Sequence, residues 1–200
     1  MKLTALVSLA FACVAVAKPS HDRGYQSPLG VPMEGPPLRV SRRMLDTSRV
    51  PFEEHNGNSP WLGQNVDFQY IAPLLKELNS TAESLLSRGE AHITVVTPPE
   101  FKTLNTANIT IQELNDLAKK HRIQSGRFRA VCLGKEQVEA KGKNYVVYQV
   151  IVDAPHLVRL REEIFRLYYE KGGNTALFDP RVRKKLERKK NILIPRANMI

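Results

Sequence analysis

In EAHITVVTPPE, residues 90–100, a histidine stands two places before a threonine inside a run of strand formers. Side chains alternate across a strand, so His92, Thr94 and Val96 share one face while Ala91, Ile93 and Val95 take the other. If the second face packs on a helix, the imidazole and the hydroxyl project together into a groove. That pair suits phosphate chemistry: the ring transfers a proton and the hydroxyl binds a non-bridging oxygen. Taken alone, H-x-T fits a structural histidine as well. Arg127 and Arg129 alternate with Phe128 in GRFRAV and are expected on one strand face, where they would clamp a phosphate. The same pattern also fits a strand edge carrying protective charge. The chain has no glycine-rich phosphate loop, no H-E-x-x-H and no plausible Ser/His/Asp set.

Several elements must position these residues. Apolar residues from Ile71 to Leu86 recur at helical spacing, which predicts a helix over 71–87 ended by Gly89. A strand over 91–97 follows, stopped by Pro98 and Pro99. Thr110 and Glu113 form a capping box that opens a helix through Lys120, with Ile111, Leu114 and Leu117 on one face. RFRAVCLG (127–134) and NYVVYQVIVD (144–153) read as strands joined by a charged hairpin, and Pro155 starts a helix to Gly172. The order helix, strand, helix, strand, strand, helix predicts an α+β domain with a largely antiparallel sheet.

The flanks differ in character. MKLTALVSLAFACVAVA has a positive start, an apolar run and an A-x-A end, so residues 1–17 read as a signal peptide and the mature chain is expected to be secreted and soluble, not membrane-bound. Cys132 is then the one remaining cysteine and is expected to be a buried, inert thiol. Asn79 and Asn108 head sequons that suit a glycoprotein. Residues 18–60, rich in Pro, Gly, Ser and Arg, read as a disordered leader or pro-segment, with a dibasic pair at Arg42-Arg43. The formal net charge is +10, yet residues 181–200 hold eight Lys and Arg against Glu187. The body is therefore close to neutral, and the basic tail is either a solvated end or a holder of anions.

The segments EAHITVVTPPEF, IQSGRFRAVCLGK, NYVVYQVIVD and LREEIFRLYYEKGG, in that order, resemble the fungal Swiss Army Knife branch of the two-histidine (2H) phosphoesterases, a superfamily that includes the LigT-like RNA phosphodiesterases. The likeness runs from about Trp61 to Pro180. It implies a LigT-like fold of two lobes, each an antiparallel sheet with outer helices and one H-x-[ST] strand facing a central groove. It also implies cyclic phosphodiesterase activity on RNA ends or cyclic nucleotides, with neither metal nor other cofactor. His92 and Thr94 match the first motif and carry its catalytic roles; Arg127 and Arg129 are the substrate-binding candidates.

The second motif is missing. After GGNTALFDP the chain reads RVRKKLERKKNILIPRANMI, without a histidine. His121 and His156 are followed two places on by Ile123 and Val158, and His21 and His55 lie in the leader. The second lobe is therefore expected to be incomplete, residues 61–180 a truncated 2H domain, and activity impaired. Residues 181–200 read as an aberrant tail from a shifted frame or retained intron. A non-catalytic nucleotide- or RNA-binding module and a secreted interaction protein stay open as alternatives.

Overall fold

The run of β-branched residues after Ala91 forms a strand in the computed structural model, which describes residues 40–81, 85–140, 142–180 and 198–199. This strand, β2 (Ala91–Val96), is buried on both faces. Thr97, expected to close it, instead caps a helix. Glu100 Oε2 accepts from the Thr97 N–H and hydroxyl, both at 2.9 Å, and the Glu100 N–H returns to Thr97 Oγ1 at 3.4 Å. The prolines occupy the first helical positions of α2 (Pro98–Asn105), where a missing N–H costs nothing and a fixed φ helps. They both stop the strand and start this helix, which the sequence reading missed.

The second missed element is β1 (Leu62–Val66), antiparallel to β2. Its sequence, LGQNV, shows no apolar alternation, because its polar residues are buried too and are held by hydrogen bonds. α1 (Ala72–Thr81) stops short of the expected 87. Residues 82–84 lie outside the described residues, and Leu85, buried, is no longer helical. The Asn79 side chain accepts from the Leu85 N–H (2.7 Å) and donates to its carbonyl (3.3 Å). A side chain so engaged offers the backbone an alternative to the helical ladder.

α3 (Ile111–Lys120) carries the expected capping box, with Thr110 N donating to Glu113 Oε2 at 2.8 Å. Leu114 and Ala118 are its buried apolar anchors, while Ile111 and Leu117 lie at the rim. β3 (Arg129–Ala140) and β4 (Lys143–Asp153) run antiparallel through the stretch expected as a charged hairpin, which is itself largely strand. The turn is tight, and Gly142 takes φ +70°, a conformation that glycine adopts without steric cost. Cys132, on β3, is buried as expected. α4 (Pro155–Glu170) buries Leu157, Leu160, Ile164 and Tyr168.

The architecture is α+β, with two antiparallel strand pairs and helices, consistent with a LigT-like fold. A two-residue strand, β5 (Asn198–Met199), lies between the pairs and gives the order β1-β2-β5-β4-β3. The charged run of the expected aberrant tail lies outside the described residues. α3 packs on β1 and α4 on β2.

Part of the stretch expected as a disordered leader or pro-segment, residues 40–60, contacts the domain. A 3-10 turn at Arg42–Leu45 buries Met44. Thr47 is buried as well: its hydroxyl donates to Gln124 O (2.7 Å) and accepts from Gln64 Nε2 (2.7 Å). Gln124 in turn bridges Thr47 O and Asn65 O. The strap is thus stitched to β1, but its anchors are too few and too irregular to show a period. Met44→Ala is expected to destabilise the fold by about 2–3 kcal/mol, the usual cost of truncating a buried methionine. An unchanged urea midpoint would show that the strap contributes nothing to the core.

Candidate functional site

His92 and Thr94 fall on one face of β2, as the period of two requires. Antiparallel pairing sets Asn65 opposite His92 and Gly63 opposite Thr94. Gly63 is needed there: a Cβ would come within 2.6 Å of the Trp61 ring and 3.0 Å of Ile93 O. The absent side chain lets the indole lie against the strand. Trp61 contacts the His92 ring at 4.1 Å between centroids, tilted by 36°, and His55 stacks flat on the same indole at 3.6 Å and 13°.

This cover sets the electrostatics. His92 is 6 % exposed. Burial, then the neighbouring His55 and Arg88, push its pKa down to about 4, because a cation loses hydration there and meets positive charge. The ring is neutral at pH 7 and able to accept a proton. Thr94 is buried, and its Oγ1 has no hydrogen-bond partner among the described residues. A buried hydroxyl left so costs about 1–3 kcal/mol, and native structures rarely carry that cost without a reason. A phosphate oxygen arriving beside His92 would satisfy it.

Trp61→Ala should uncover His92 and raise its pKa from about 4 toward the ordinary histidine value, as seen by NMR titration of the ring protons. A value that stays put would mean that Trp61 is not what desolvates the ring.

The arginines lie elsewhere. The strand begins only at Arg129, yet the burial alternates as expected, with Phe128 buried between the exposed Arg127 and Arg129. Arg127 is exposed ahead of the strand, and Arg129 is exposed and pairs with Asp153 at 3.2 Å. β3 is the far edge of the sheet, three strands from β2, a separation of about 14 Å. The fold does not bring this pair to His92 and Thr94. His121 ends α3 and bonds Glu163 at 2.6 Å. His156 bonds Gln64 at 2.8 Å; Gln64 pairs with Ile93, so this contact is on the helix side of the sheet. Neither ring joins His92.

The residue that sequence reasoning missed is His55. A short bridge pairs it with Trp61, whose N–H donates to His55 O at 3.3 Å. The loop is pinned to α3, since Asn115 Nδ2 donates to Asn56 Oδ1 at 2.9 Å and Lys119 pairs with Glu54. His55 Nε2 is buried without a hydrogen-bond partner among the described residues, and burial lowers the ring's pKa. The available signal was the turn sequence NGNSP between a histidine and a tryptophan, which reads as a tight reversal.

Among the described residues no group of three or more His, Cys, Asp or Glu is placed to hold a metal ion, and no helix is long and apolar enough to cross a membrane. No curated protein and no solved structure matches the chain. Residues 60–181, which include Trp61, His92, Thr94 and the strand pairs β1–β2 and β3–β4, match the family described as Swiss Army Knife, 2H phosphoesterase domain, and the chain belongs to that family.

Proposed function

We propose that the protein hydrolyses a phosphodiester, of the 2′,3′-cyclic type found at RNA ends and in cyclic nucleotides. His92 moves the proton and Thr94 Oγ1 holds a non-bridging oxygen. The observation that carries this reading is the buried Thr94 hydroxyl, without a partner among the described residues, on the same strand face as a neutral His92. A phosphate supplies what both groups lack: an acceptor for the hydroxyl and a negative charge that favours a proton on the ring.

Turnover is expected to be slow with these residues alone, because residues 181–200 carry no second H-x-[ST]. A fungal origin and a secreted product, freed of residues 1–17, belong to the same proposal. If the sequons are used, Asn108 is favoured: both asparagines are exposed, but the Asn79 amide is committed to Leu85. Arg127 and Arg129, far from the scissile bond, would touch a more distant part of an RNA substrate.

The test is to incubate the purified chain with a 2′,3′-cyclic nucleotide and with RNA bearing a cyclic 2′,3′-phosphate end. Release of the monoester is the expected result. Steeply salt-dependent RNA binding without turnover would replace this reading with the binding-module one, favoured by the missing second motif.

A further inference from the structure

The loop before β1 delivers a second imidazole to the indole that covers His92. His55 stacks on Trp61 at 3.6 Å and His92 contacts the same ring at 4.1 Å, so the two histidines lie about two stacking distances apart at most. They are close enough to feel each other's charge. Near this cover, His55 Nε2 and Thr94 Oγ1 have no hydrogen-bond partner among the described residues, and the His92 ring is little hydrated. Loop 54–61 is also held in place, by Lys119 on Glu54 and by Asn115 on Asn56. A surface histidine would need no such anchoring.

We propose that His55 is the second imidazole of the site and works with His92 on a phosphodiester in place of the absent second H-x-[ST] motif. The inference rests on the phosphodiesterase reading above. A water oxygen attacks phosphorus and gives its proton to one ring. The bond from phosphorus to the leaving ribose oxygen breaks, and that oxygen takes a proton from the other ring. One water is added across one P–O bond, and a proton passed back between the rings through solvent restores the start.

The surroundings assign the roles. Glu53 and Glu90 favour a proton on His55, against the effect of its burial, whereas every influence on His92 disfavours one. Burial lowers the pKa of both rings, but Glu53, Glu90 and an Asn65 side-chain hydrogen bond oppose it only at His55. Of the two, His55 holds a proton more readily. His92 is the base and His55 the acid.

The probe is inorganic phosphate, added to the full chain while the ring protons of all five histidines are followed by NMR. The signals of His55 and His92 should move together with one binding midpoint, and both titration midpoints should rise, since a bound anion stabilises both imidazolium forms. Movement of His92 without His55 overturns this inference and leaves the phosphodiesterase reading standing. Movement of neither overturns both. In turnover, His55→Gln should cost about 10²–10⁴-fold and abolish the loss of rate at high pH that a general acid imposes; an unchanged rate and pH profile would equally overturn the role of His55.

Discussion

Replacing His92 by alanine should lower hydrolysis of a 2′,3′-cyclic nucleotide by about 10²–10⁴-fold, the usual contribution of one positioned proton-transfer group. His92→Asn, closer in size and still polar, should fall as far, because an amide cannot carry the proton. Retained activity in either variant would remove His92 from the chemistry. The pH dependence has a defined sign. With a folded pKa of about 4 against the ordinary 6.5, the ring stays neutral and base-competent well below pH 6.5, and the acidic limb of kcat/KM should lie near 4. The stability linkage runs the same way. The unfolded chain takes up this proton near 6.5 while the folded one resists until about 4. The ring's share of stability is therefore full above 6.5 and is lost as pH falls across that window.

Arg161→Met should destabilise the fold by about 3–5 kcal/mol, the range for breaking a buried charged pair by removing one partner. The guanidinium is 8 % exposed and serves four groups at once. It donates to Glu100 Oε1 at 2.9 Å, to Pro180 O at 3.1 Å, to Asp179 O at 3.2 Å and to the Val95 carbonyl. It also lies over the Phe178 ring at 5.1 Å. One side chain on α4 thereby joins the end of β2, the capping box of α2 and the segment that leaves the last helix. Methionine fills the volume but leaves a carboxylate and three carbonyls without this donor. Arg161→Lys keeps the charge without the planar fork and should lose an intermediate amount. A urea midpoint for Arg161→Met within about 1 kcal/mol of the parent would show that these contacts are dispensable.

How far the sequence could be read follows from which interactions are local. His92 and Thr94 were legible as a pair because their shared face depends only on the period of one strand. The capping box at Thr110 was legible because its partners stand three residues apart. The equivalent box at Thr97 has the same spacing, but the two prolines after it read equally as a strand stop and as a helix start. β1 was hidden because burial of Gln64 and Asn65 is licensed by hydrogen bonds to Thr47, Gln124 and Gly126, partners remote in the chain. Arg127 and Arg129 flank the buried Phe128 as alternation requires, but which strand neighbours β2 is set by sheet order, which no local pattern reveals.

By itself, then, the sequence determined that one strand presents an imidazole and a hydroxyl on a common face, that the domain is α+β, and that residues 181–200 hold no second H-x-[ST]. Only the tertiary structure decided which residues stand around that imidazole. It set the arginines on the far edge of the sheet and laid Trp61 over His92 through the gap at Gly63. It also brought His55 up from a stretch with no periodicity at all. The physical reason is that strand faces and helix caps are settled by neighbours within a few residues. The cover of a buried ring, and with it the ring's proton affinity, is settled by contacts between segments remote in the chain, here Trp61 and His55 against His92.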